Sequence, residues 1–120
     1  MSVRVLAYAK LNLSLHVVGI RDDGYHELVS DVQTVDLADH LSIDVVSPRA
    51  GVRVDNDLFI DGQDLAARAA DALLRRKGID CGVRIGIEKG IPAGAGLGGG
   101  SSDAAAVVCV LDRLTPPELP

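Results

Sequence analysis

The chain has 120 residues, 48% hydrophobic and 24% charged, which is enough apolar material for one domain with its own core and too much for a disordered chain. Twelve Lys and Arg against 17 Asp and Glu leave a net charge of −5, and no basic cluster exceeds Arg75, Arg76 and Lys77, which argues against a nucleic-acid binder. The longest apolar run, Ala104 to Leu111, falls far short of the ~20 residues that span a bilayer. The N-terminus lacks a signal-peptide layout, and Cys81 and Cys109 stand apart with no CxxC, which reads as two reduced, buried thiols in a cytoplasmic protein.

The first 18 residues alternate. Leu11, Leu13, Leu15 and Val17 fall on one side of an extended segment and Lys10, Asn12, Ser14 and His16 on the other, with Val3, Val5 and Ala7 continuing the pattern upstream. The expectation is a strand that buries the leucines and presents a polar row. Gly19 to Gly24 (GIRDDG) has turn chemistry, Asp23-Gly24 being suited to positive φ. Leu41, Ile43 and Val45 predict a second strand, and Val52 to Val54 with Leu58 to Ile60, around Asp55-Asn56-Asp57, a hairpin.

Leu65, Ala66, Ala69, Ala70, Leu73 and Leu74 recur at helical spacing. Asp64 can cap this helix, Arg75, Arg76 and Lys77 suit its negative end, and Gly78 stops it. Val83, Ile85 and Ile87 alternate with Arg84, Gly86 and Glu88 as a strand. A second helix is predicted from Ser102 to Leu114, with Ala105, Val107, Val108, Leu111 and Leu114 facing inward. Thr115-Pro116-Pro117-Glu118 has the form of a capping box, so a further helix is announced near Thr115. The expectation is that these residues are the N-terminal part of a longer protein.

Between the last strand and that second helix lies PAGAGLGGGSSDAAA, residues 92–106, with glycines at 94, 96, 98, 99 and 100. Each glycine costs conformational entropy, and a tight turn needs one or two. What such a loop offers is unobstructed backbone N–H groups leading into a helix N-terminus, which together make an anion site. Ser101 and Ser102 add hydroxyls for phosphate or Mg²⁺. Gly94, Gly96 and Gly99 satisfy GxGxxG, but the βαβ continuation of a dinucleotide-binding fold does not follow. Gly100 stands where a Walker A lysine would be. On the strand, Lys10 could neutralise a transferring phosphoryl group or lower the pKa of an attacking hydroxyl, and Asn12 could orient it; a solvated strand face would carry the same residues. Tyr25-His26 could stack on and read a base, or serve structure alone. His16 and His40 have no metal-ligand spacing.

Together Ala9-Lys10-Leu11-Asn12-Leu13, Gly19 to Leu28 (GIRDDGYHEL) and Pro92 to Ala105 (PAGAGLGGGSSDAA) resemble the GHMP kinase superfamily, in its motif order and over most of the chain. Within it they resemble the branch that acts on 4-diphosphocytidyl-2-C-methyl-D-erythritol in non-mevalonate isoprenoid synthesis, which the DGYH segment sets apart. The resemblance implies an α+β fold, the superfamily's N-terminal nucleotide-binding domain (ribosomal protein S5 domain 2-like), incomplete at its C-terminus and without the second domain. It implies phosphorylation of the substrate's 2-hydroxyl with ATP and Mg²⁺, by a cytoplasmic enzyme whose partner is a small-molecule cytidine-diphosphate substrate.

Carried over by position, the resemblance makes Lys10 catalytic and Asn12 a substrate contact, with Tyr25 stacking on the cytosine and His26 hydrogen-bonding it. Pro92, Gly94, Gly96, Leu97, Gly98, Gly99, Gly100, Ser101 and Ser102 would wrap the ATP phosphates, with Ser102 a possible metal ligand and Lys89 near the nucleotide. Asp64 stands where the family has an asparagine against adenine; an aspartate accepts from the adenine amino group but cannot donate. The family's catalytic aspartate lies in a GADVPF-like segment that these residues do not contain, so the 120 residues alone are expected to have little or no activity. Asp103, in the first turn of a helix, has an ordinary dipole explanation. The rival readings are another GHMP kinase, of homoserine or mevalonate type, and a non-catalytic nucleotide-binding fragment.

Overall fold

The computed structural model describes residues 2–56 and 65–116. In these the alternating stretches form strands β1 (Ser2–Ile20), β2 (His26–Val46), β3 (Val52–Asn56) and β4 (Gly82–Glu88), and the helical repeats form α1 (Leu65–Lys77) and α2 (Gly99–Leu114). The strands lie in the order β1-β2-β4-β3. β1 with β2 and β2 with β4 run antiparallel, whereas β3 and β4 run parallel and are joined through α1, as a parallel pair requires a crossover. The result is the α+β architecture expected from the sequence.

The core lies between the sheet and both helices. Ala7, Leu41, Ile43, Val83, Ile85 and Ile87 face Ala66, Ala70 and Leu74 of α1 and Val107 and Leu111 of α2. Ile43 and Ile85 are direct cross-strand partners, and both are wholly excluded from water; burying each is worth about 1.5–3 kcal/mol. The spacing is two along the strands and four along the helices, so one face of each element carries the burial. Gly78 (φ 65°) ends α1, and the Ile79 amide donates back to the Leu74 carbonyl at 3.0 Å, the stop anticipated for that position.

Several expectations are corrected. Leu11, Leu13, Leu15 and Val17 are exposed. Beyond Lys10, β1 and β2 continue as a two-stranded ribbon with register shifts at Tyr8/Lys10, Asn12/Ser14 and Val17/Gly19, and no residue of either strand phase of β1 is buried there, so the period marks a strand without a buried side. The upstream part of the pattern holds: Ala7 is buried, as is Ala9, and Val5 packs against the core. Strand β2 starts at His26, well before Leu41. β3 pairs with β4, and the Leu58–Ile60 arm of the expected hairpin lies outside the described residues. α2 begins at Gly99 rather than Ser102, and its buried stripe is Asp103, Val107 and Leu111, leaving Ala105 exposed. Neither cysteine is in a disulfide; Cys81 is half-buried, and Cys109 is exposed on α2 rather than buried.

Lys77 and Thr115 join the helix ends. Lys77 sits in the last turn of α1 as expected, yet it is buried. Its Nζ donates to Thr115 Oγ1 at 3.0 Å and to the Asp112 carbonyl at 3.1 Å, and pairs with Asp112 Oδ1 at 2.7 Å. Thr115 closes α2, its hydroxyl donating to the Leu111 carbonyl at 2.6 Å; Pro117 and Glu118 of the expected capping box lie outside the described residues. Lys77→Met keeps the aliphatic stem but removes all three donated bonds, and should lower unfolding free energy by about 1–3 kcal/mol in chemical denaturation.

Candidate phosphate-binding site

The turn between β4 and α2 shows why its sequence is rich in glycine. Gly94, Gly96 and Gly98 alternate along it in the left-handed region, at φ 70°, 74° and 70°, which few side-chain-bearing residues adopt. Gly98 is the N-cap of α2 and brings no side chain to cap its first turn. The opening amides and the positive end of the helix dipole are therefore presented together. Gly99 and Gly100 are glycines for a different reason. A Cβ at 99 would lie 3.0 Å from Ile91 Cγ2, and one at 100 would lie 3.3 Å from Leu65 Cδ1, so close packing as well as exposed backbone explains the run.

Lys10 is locked into this loop from β1. Its backbone N–H donates to the Leu97 carbonyl at 3.0 Å and its Nζ to the Gly96 carbonyl at 3.2 Å. Its stem fills the space that a side chain at 98 would need: a Cβ there would be 3.0 Å from Lys10 Cε and 3.1 Å from Cγ. The structure thus brings Lys10 to the loop of residues 92–102, the two features that were read separately from the sequence. On the same strand, Asn12 Oδ1 accepts from Ser30 Oγ at 3.4 Å. Ser101 is exposed, and Ser102, half-buried, donates its amide to the Gly98 carbonyl at 2.9 Å.

Tyr25 and His26 stand where the ribbon turns, with His26 opposite Ile20, ten residues along β1 from Lys10. Tyr25 is 73% exposed, and its amide donates to Asp23 Oδ1 at 3.0 Å, which sets the turn. Asp64 lies outside the described residues. A concavity of about 730 Å³ lined by Arg4, His40, Ser42, Asp55 and Glu88 shares no residue with the loop.

Beneath the loop is a buried ionic cluster that sequence reasoning missed. Lys89 Nζ pairs with Asp39 Oδ2 at 2.6 Å and Asp103 Oδ2 at 3.1 Å, and all three side chains are at least nine-tenths buried. Asp39 Oδ1 accepts the amides of Gly90 at 2.8 Å and Ile91 at 2.9 Å. Lys89, expected beside the nucleotide, is thus engaged with two carboxylates. Asp103 is not merely a dipole partner. Burial, reinforced by the adjacent Asp39, raises its carboxyl to about 7, and its Oδ1 is buried without a hydrogen-bond partner. Burial also pushes Asp39 upward, but hydrogen bonds with Asp103, Lys89 and the two amides outweigh it and hold Asp39 below the ordinary carboxylate value. For Lys89 the carboxylates overcome desolvation and raise its pKa. The signal was in the sequence: Asp39 shares the strand phase of Leu41 and Ile43, so a charge falls on the core face and demands partners. Among the described residues, no group of three or more His, Cys, Asp or Glu could hold a metal ion.

Residues 64–120 match the family of GHMP kinases N terminal domain. The chain is 44% identical over 107 residues to the 4-diphosphocytidyl-2-C-methyl-D-erythritol kinase of Pseudothermotoga lettingae, covering 89% of this chain and 39% of that protein. It is 50% identical over 112 residues to the protein of the same name from Syntrophotalea carbinolica, covering 91% and 40%. A crystal structure of 4-(cytidine 5'-diphospho)-2C-methyl-D-erythritol kinase superposes with a TM-score of 0.84 at 46% identity, over 98% of this chain and 42% of that one. The chain therefore spans about two fifths of the length of these relatives.

Two outcomes test the geometry. Gly98→Ala places a Cβ in left-handed backbone and against Lys10, and should destabilise the chain by about 1–2 kcal/mol in denaturant titrations. Asp103 titrates at about 7 when folded against an ordinary 3.8, so between those values the folded state holds a proton that the unfolded state releases. Its contribution is therefore greatest at the acid end and is lost as pH rises toward 7. The depressed Asp39 works oppositely, its contribution being present above 3.8 and lost as pH falls further. Thermal melts of Asp103→Asn should show a flatter decline in Tm than wild type between pH 4 and 7.

Proposed function

This chain belongs to the GHMP kinase superfamily, and we propose that it supplies the nucleotide-phosphate half of a kinase transferring the γ-phosphoryl group of ATP to the 2-hydroxyl of 4-diphosphocytidyl-2-C-methyl-D-erythritol, in non-mevalonate isoprenoid synthesis. The observation that carries this reading is the seat of Lys10, with its ammonium 3.2 Å from the Gly96 carbonyl beside the uncapped start of α2. A cation, a run of backbone donors and a helix dipole converge there, as charge stabilisation during phosphoryl transfer requires. The substrate rests on the names of the relatives and on the Tyr25-His26 turn.

In this reading the loop amides and the Ser101 and Ser102 hydroxyls hold the triphosphate. Lys10 leaves the Gly96 carbonyl to neutralise charge on the transferring group and the attacking 2-hydroxyl, and Asn12 orients the polyol. Exposed Tyr25 offers its ring to cytosine and His26 a hydrogen bond to its edge. Mg²⁺ would enter on the ATP phosphates, with the Ser102 hydroxyl its candidate protein ligand, since Asp39 and Asp103 already hold Lys89. The metal would neutralise phosphate charge. Asp64 would face adenine as an acceptor only. With no GADVPF-like segment among the 120 residues, they should show little or no turnover by themselves.

The test is a phosphorylation assay on the whole protein with ATP and the diphosphocytidyl substrate. Lys10→Ala should lower kcat by about 10²–10³-fold, the usual cost of removing one transition-state donor. His26→Ala should chiefly raise KM for the cytidine substrate. No turnover of that substrate by the wild-type protein, or turnover of homoserine or mevalonate instead, would sink the reading.

A further inference from the structure

We infer that Asp39, Lys89 and Asp103 are positioning residues that staple the two ends of the glycine loop to β2, Lys89 acting through the carboxylates rather than as a phosphate ligand. The inference rests on the loop's being the ATP-phosphate site. Asp39 stands on β2, Lys89 to Ile91 form the stem where the chain leaves β4, and Asp103 lies in α2 just past the loop. One carboxylate oxygen, Asp39 Oδ1, takes both stem amides, while Oδ2 takes the Lys89 ammonium, which reaches on to Asp103. Entry to and exit from the loop are thus referred to a single buried side chain on the sheet. Two close approaches tighten the fit. A Cβ at Gly90 would run into the Ala38 carbonyl, and one at Gly99 would lie 3.4 Å from Lys89 Nζ, so the stem lies flat on β2 and the start of α2 rests over the ammonium.

Stability alone does not account for this choice. A buried ionic triad can often be replaced by apolar side chains of similar volume with no loss of stability, and here Asp103 Oδ1 is left without a hydrogen bond, a cost that packed aliphatics would avoid. What the ionic triad provides and aliphatics cannot is direction. It holds the two stem amides, and through them the loop's backbone donors, in one orientation, and small displacements of such donors weaken anion binding strongly.

Calorimetry on the whole protein, with MgATP and CDP titrated in parallel, tests the staple. Asp39→Ala removes the acceptor for both amides and should weaken ATP by about tenfold or more, with CDP affinity unchanged because Tyr25 and His26 lie at the far end of the ribbon. Asp39→Asn keeps an oxygen for the two amides but turns its NH2 toward the Lys89 ammonium, and should recover only the part of that loss that the amides carry. Lys89→Met should weaken ATP clearly in the wild-type background but add little to Asp39→Asn/Asp103→Asn, because the two carboxylates through which it acts on the loop are already neutral. If Asp39→Ala does not fold, the Lys89→Met comparison decides alone. Equal losses for ATP and CDP, an unchanged ATP affinity in Asp39→Ala, or a Lys89→Met effect of the same size in both backgrounds would overturn the staple. Wild-type protein that binds CDP but not ATP would instead overturn the reading of the loop, and the staple with it.

Discussion

A carboxylate shut away from water stays ionised only where donors surround it, and Asp39 meets that condition with two amides and an ammonium. The geometry of the glycine loop depends on this one group. Its bonds to Gly90 and Ile91 fix where the chain leaves β4, its ion pair places Lys89 beneath α2, and Lys89 in turn engages Asp103. The loop is therefore suspended between a rigid sheet and a helix whose own seating is tied to the same residue. Lys10 adds a separate tie from β1, through one backbone and one side-chain bond to the loop carbonyls. Three strands and a helix converge on a segment that in isolation would be among the most flexible in the chain.

The molecule divides its charges into two kinds of work. Lys77 joins the far ends of the helices and Lys89 joins the loop to the sheet, both buried; Lys10 alone of these three offers its ammonium at the loop surface. A lysine tied to two carboxylates is compensated where it stands and contributes little field outward. A lysine resting on a neutral carbonyl is a cation that an incoming phosphate can recruit. That difference in partner, rather than in residue type, separates the candidate chemical lysine from the structural ones.

The ribbon beyond Lys10 obeys different physics from the sheet it extends. Near the helices, strand alternation translates into burial because α1 and α2 cover one face. Farther out, β1 has no buried residue in either strand phase, and Leu13, Val18, Ile20, Leu28 and Val32 remain exposed. The same alternation that correctly marked a strand therefore pointed to a buried side that it lacks, because burial depends on what lies opposite and not on period alone.

The sequence by itself determined the strands of β1 and β4, both helices with the Gly78 stop and the backbone freedom of the glycine-rich run in residues 92–102, since these rest on short-range period, capping and the absence of side chains. It also carried the motif order by which the superfamily is recognised. Tertiary structure alone decided that Lys10 meets the glycine loop, that Lys89 is committed to Asp39 and Asp103, that Gly99 and Gly100 make room for Ile91 and Leu65, and that the ribbon's leucines face water. Each of those depends on residues far apart in the chain being brought within a few ångströms, and no local pattern encodes which buried charge will find which partner.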